Sequence, residues 1–78
     1  MAKLKAGFQL YRLTADCQAV LLENYSQNDK TVILPANTIF SVKEDAATVA
    51  GVACYGISAN GKLYRVEVAV LEEKSERL

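Results

Sequence analysis

The chain has 78 residues, 51 % of them apolar, and its nine basic and nine acidic side chains cancel. A chain of this length makes one domain, residues 1–78, and buries about 60–65 % of its unfolded surface. The aliphatic content excludes disorder, and the neutral balance lacks the basic excess of a nucleic-acid binder.

Residues 1–6 read as a frayed start. Gly7–Leu13 follows as a strand, with Phe8 and Leu10 on one face and Tyr11 and Leu13 on the other. Thr14–Tyr25 has two readings. Cys17, Val20, Leu21 and Tyr25 fit helical spacing behind an N-cap at Thr14, and Ala19–Glu23 fits a strand; the strand is preferred. Ser26–Lys30 is a polar loop. Thr31–Leu34 is a β-branched strand, and Pro35-Ala36-Asn37 a turn in which Asn37 takes a left-handed conformation. Thr38–Lys43 is the next strand, with Phe40 and Val42 on one face. Glu44–Ala47 reads as a loop, and Thr48–Gly51 leads onward.

The clearest local signal is the pair of segments Val52–Ala59 and Lys62–Val68 around Asn60-Gly61. Asn-Gly is the preferred pair for a two-residue turn that needs positive φ at both positions. That turn sets the register. Ala59 faces Lys62, Ile57 faces Tyr64, Tyr55 faces Val66 and Ala53 faces Val68, all on a core face. The opposite face carries Cys54, Gly56, Ser58, Leu63, Arg65 and Glu67. Gly56 opposite Arg65 marks a bend or a close approach. Val70–Leu78 reads as a last strand that turns helical, with residues 74–78 as a frayed end.

Chemistry finds little purchase. The chain has no histidine, so the commonest general base is missing, and its two cysteines have no CxxC spacing. Cys17 and Cys54 read as reduced, small apolar residues. The acidic pairs Glu44-Asp45 and Glu72-Glu73 read as solvated surface. The expectation is therefore no catalytic residue, no metal and no cofactor. Asn24-Tyr25-Ser26 matches a glycosylation triplet, which matters only in a secreted protein. No run reaches the roughly 18–20 apolar residues of a membrane span. No apolar stretch of about 7–15 residues follows Lys3 and Lys5 as in a secretory leader, so the expected compartment is the cytoplasm. Tyr11-Arg12 and Tyr64-Arg65 could stack on bases, but the register sends Tyr64 to the core. Tyr11, Tyr25 and Tyr55 read likewise as core.

The segment Val32-Ile33-Leu34-Pro35-Ala36-Asn37-Thr38-Ile39-Phe40, the hairpin Asn60-Gly61-Lys62-Leu63-Tyr64-Arg65-Val66 and the Leu71-Glu72 ending resemble small bacterial SH3-like barrels over residues 8–73. The resemblance implies an all-β fold, a small five-stranded SH3-like barrel; a helix over 14–25 would make it α+β instead. The missing tryptophan departs from SH3 domains that bind proline-rich peptides. A superfold hosts many functions, so the resemblance does not choose one. The residues favour a non-enzymatic protein-interaction module, of the kind carried as accessory proteins by phages and mobile elements. Its partner would be another protein or a second copy. The residues left to meet it are Leu63, Arg65 and Glu67, with Arg12. The runner-up is a nucleic-acid-binding barrel using Arg12, Lys43, Lys62 and Arg65. A third reading is an enzyme subunit whose site forms between protomers.

Overall fold

The computed structural model describes residues 4–22 and 30–78. Tyr25, the loop at 26–29, the glycosylation triplet and the start of the N-terminal end lie outside them. The strands are β1 (Leu10–Leu13), β2 (Cys17–Leu22), β3 (Lys30–Leu34), β4 (Ile39–Val49), β5 (Val52–Ala59), β6 (Lys62–Glu67) and β7 (Ser75–Arg77), with one helix, α1 (Val68–Glu73), between β6 and β7. They form one curled antiparallel half-barrel in the order β3-β2-β6-β5-β4-β1-β7. The described residues thus hold seven strands where the sequence reading counted five.

The β5–β6 register follows the Asn60-Gly61 turn as the residues dictate. Both turn residues have positive φ, 53° and 77°. Ala59 pairs with Lys62, Ile57 with Tyr64 and Tyr55 with Val66. Alternate side chains therefore point inward, and Tyr55, Ile57, Ala59, Tyr64 and Val66 are all buried. The Ala53–Val68 rung does not form. The β5–β6 ladder ends at Cys54–Glu67, and Val68 opens α1.

Phe40 and Val42 of β4 and Tyr11 and Leu13 of β1 complete the same core. Tyr11 stacks on Phe40 with ring centroids 5.5 Å apart. Phe8, expected on the face of Leu10, stands almost wholly in solvent. Its segment is not strand: Ala6 bridges Val42, and Gly7, at φ 148°, turns the chain before β1 begins at Leu10. Leu4, the first described residue, is anchored in the core at 5 % exposed.

Residues 17–22 are strand, which excludes the helical reading there; residues 23–25 lie outside the described part. Cys17 and Ala19 point into the core while Gln18 stays exposed, the alternation of a strand covered on one side. After β3 the chain reverses at Pro35–Thr38. Asn37 takes φ 74°, and Thr38 N–H donates to the Pro35 carbonyl at 3.2 Å. Positive φ at the third position is the signature of a type II turn. Asn37 N–H donates to Leu13 O, and Asp16 Oδ1 accepts from Ala36 N–H, which tie this turn to the end of β1.

Two further expectations are corrected. Glu44–Ala47 is not a loop: β4 runs on to Val49 through register shifts at Val42/Glu44 and Glu44/Ala47. A second tight turn at Ala50-Gly51, φ 52° and 84°, joins it to β5, with Val49 opposite Val52. The bulged arm escapes a periodicity reading because residues 43–48 are all exposed and carry no apolar alternation.

The second correction concerns the closing segment, expected as a strand that turns helical: the order is reversed, helix first and then strand. Leu71 is fully buried and Val68 and Val70 lie against the core, so the one-and-a-half-turn helix plugs the half-barrel with its aliphatic side. Residues 74–78, read as a frayed end, carry β7. Tyr11, Arg12 and Leu13 pair with Arg77, Glu76 and Ser75, and Leu78 N–H donates to Leu10 O.

Candidate functional site

The outer face of the sheet can be built from the register alone. Residues directly opposite one another in antiparallel strands project from the same side. Leu10 pairs with Ser41, Ser41 with Ser58, Ser58 with Leu63, and Leu63 with Leu22. These five residues make one row across β1, β4, β5, β6 and β2. Its leucines flank a pair of serines. Leu10 and Leu63 are 48 % and 46 % exposed, too much for side chains that simply complete a core.

A second row runs beside it through Glu44, Gly56, Arg65, Val20 and Thr31. A Cβ at Gly56 would lie 3.2 Å from the Glu44 Cβ. The close approach foreseen at Gly56 is thus made by the Glu44 side chain, which leans over the bare backbone at the β4 bulge. The third row is Ala47, Cys54 and Glu67. Along β6, then, Leu63, Arg65 and Glu67 present an apolar, a basic and an acidic group in successive rows.

Between the second and third rows lies an open groove of about 310 Å³. Val20, Thr31, Cys54, Arg65, Glu67 and Val70 line it, together with the turn at Ala50. Strands β2, β3, β5 and β6 and helix α1 therefore all contribute. The structure brings Arg65 and Glu67 together at this groove and keeps Leu63 in the adjoining row. Arg12 is elsewhere. It sits on β1 and forms an ion pair with Glu76 of β7, both side chains close to half exposed. Such a pair contributes about 0–1 kcal/mol and leaves Arg12 engaged at the far side of the sheet.

Among the described residues no three His, Cys, Asp or Glu side chains cluster as a metal site. Both cysteines are free thiols. Cys17 is in the core, and burial pushes its thiol above the ordinary value of 9.0, against a smaller pull from Lys74. A thiol held protonated in this way is a poor nucleophile. Cys54 is half-buried in the groove, on the other face of the sheet from Cys17. Tyr55 hydroxyl donates to Glu72 Oε2 at 3.2 Å. Burial, and then that bond to Glu72, push its pKa above the ordinary 10.0. Both groups serve packing.

The tyrosines read as possible base-stacking groups are core residues: Tyr11, Tyr55 and Tyr64 are 4 %, 5 % and 7 % exposed. Lys43 falls at the β4 bulge and Lys62 beside the Asn60-Gly61 turn, away from the groove that holds Arg65. The sequence reading missed Leu10, Val20 and Leu22 as neighbours of the β6 face. The signals that would have found them are the pairing of β2 on β6 and of β1 on β4, long-range contacts with no local mark.

No helix among the described residues is long and apolar enough to cross a membrane. No protein-family model, no curated protein and no solved structure matches this chain.

Proposed function

We propose that this chain is a non-enzymatic protein-interaction module that meets its partner on the outer face of β6. The observation that carries the reading is the row Leu10–Ser41–Ser58–Leu63–Leu22 beside Arg65 and Glu67. Exposed aliphatic side chains on a sheet face are the residues a protein partner desolvates, and charges of both signs at the rim set orientation. The partner chemistry that fits is a protein surface with an aliphatic ridge that covers Leu10, Leu63 and Leu22.

The SH3-like reading also belongs here. Setting β2 and β3 aside leaves five strands in the order β7-β1-β4-β5-β6, a meander of β1, β4, β5 and β6 with β7 returning beside β1 after a short helix. The β2–β3 hairpin is inserted between the first two strands of that meander and lies against β6. This supports a small five-stranded barrel with one added hairpin. It also explains how the added hairpin builds the groove wall at Val20 and Thr31.

Burial of Tyr11, Tyr55 and Tyr64 counts against a base-stacking platform, the main support for nucleic-acid binding. The test is binding by purified protein and by Leu63→Asp. A protein partner retained by the wild type and lost by the variant, with the melting temperature of both alike, supports the module. Binding instead to oligonucleotides, weakening steeply with salt, would replace this reading.

A further inference from the structure

The two edges of the sheet differ, and the difference points to a second binding surface, the β3 edge, which shares only Thr31 with the groove beside β6. Edge strands expose unpaired backbone N–H and C=O groups, and proteins usually blunt them with short length, charge or bulges. The β7 edge is blunted in this way: it has three residues, Ser75, Glu76 and Arg77. The β3 edge is not. It has five residues, Lys30–Leu34, and no bulge interrupts its pairing with β2. Between Lys30 and Leu34 it carries no charge, and Ile33 is 61 % exposed. Among the described elements β3 has its strand neighbour on one side, β2.

We infer that β3 pairs with β3 of a second copy of this chain, antiparallel about a two-fold axis at Val32. The argument for a second copy is the self-complementarity of the strand. An antiparallel pair centred on Val32 places Val32 against its own counterpart, Thr31 against Ile33 and Lys30 against Leu34. No like charges oppose. The two Thr31–Ile33 pairs lie on the outer face and are β-branched pairs of the kind that stabilise a ladder. They cover Ile33, the exposed large hydrophobic side chain of the strand. On the inner face Val32, half-buried and packed on the core, meets Val32, so the core continues across the axis. Both kinds of antiparallel residue pair are centred on a two-fold axis, so the centre at Val32 is allowed whichever way its N–H points. The result is a closed, isologous dimer with no open edge left on the β3 side. A five-residue pairing is a small interface, so the dimer is a concentration-dependent equilibrium.

The experiment is sedimentation velocity over a concentration series reaching the high-micromolar range. The wild type should shift from monomer to dimer. Thr31→Lys with Ile33→Lys sets lysines opposite each other twice across the axis and should stay monomeric throughout. Thr31→Glu with Ile33→Lys sets each introduced carboxylate opposite the other copy's introduced ammonium and should dimerise again. Thermal melts of both double variants check the fold, and Ile33→Lys alone stands in if the first does not fold. A wild type that stays monomeric overturns the inference. So does a dimer that the paired lysines leave intact, or a Glu/Lys variant that stays monomeric. A monomer that captures a foreign protein through this edge assigns it to a different strand and also overturns self-pairing. Leu63→Asp should leave the dimer unchanged, which separates this surface from the β6 face.

Discussion

The β4–β5 hairpin closes on Ala50, an L-residue held at φ 52°, while the β5–β6 hairpin closes on Asn60 at φ 53°. The two turns have the same shape and differ in their first residue. A left-handed conformation costs an ordinary L-residue roughly 1–2 kcal/mol, and asparagine adopts it several-fold more readily. Ala50 is exposed, so Ala50→Asn alters the turn without disturbing the core. The expected gain is about 0.5–1 kcal/mol, the free-energy equivalent of that several-fold preference. In a domain this small, 1 kcal/mol moves the melting temperature by about 4–8 °C, so the expected rise is roughly 2–8 °C. Asn60→Ala should lose a similar amount. Differential scanning calorimetry of the wild type and the two variants measures both. If Asn60→Ala destabilises and Ala50→Asn does nothing, the chain does not reverse tightly at Ala50-Gly51, and the β4 arm is placed incorrectly.

Three further outcomes are expected. Leu71→Ala removes the fully buried anchor of α1 and should cost about 2–5 kcal/mol, a large share of what a small domain has, seen as a fall in the urea midpoint. Gly56→Ala brings a Cβ to 3.2 Å from the Glu44 Cβ, so the exposed Glu44 must give by a few tenths of an ångström, and the same assay should show a shift of no more than about 1 kcal/mol. Tyr55 has a folded-state pKa above its ordinary 10.0, so the folded state holds its proton more tightly than the unfolded state. Its contribution is complete below pH 10.0 and is lost as pH rises through the higher folded value. Stability should therefore fall as pH rises from 10.0 towards that higher folded value, and Tyr55→Phe should flatten the fall in a pH series of urea titrations.

Where a residue type had a strong local conformational preference, the fold was legible. Asn60-Gly61 specified a turn, the turn specified a register, and the register sorted Tyr55, Ile57, Tyr64 and Val66 inward. Asn37 did the same on a smaller scale. Ala50-Gly51 was silent because alanine does not advertise positive φ, so the second hairpin passed for a loop. Val68–Leu71 is an aliphatic run short enough to suit strand or helix. It became helix because Leu71 fills the end of the half-barrel there. Ser75–Arg77 is too polar to read as a strand and is held by the backbone of β1. The candidate face was half legible. Leu63, Arg65 and Glu67 followed from the hairpin register, and two of them meet at the groove. Arg12 did not join them, because its partner Glu76 sits on a strand that the sequence did not reveal. The groove wall at Val20 and Thr31 depends on β2 pairing with β6, and no short-range pattern encodes that.

The central claim is that the β6 outer face binds a protein. It is tested most directly by quantitative affinity capture from lysate of the source cells. The captures would use the wild type, Leu63→Asp, and Arg12→Ala as a surface control. A specific protein should be enriched by the wild type and by Arg12→Ala and lost with Leu63→Asp, while all three chains melt alike. If every protein captured by the wild type is retained by Leu63→Asp, or if nothing is captured, the claim is contradicted.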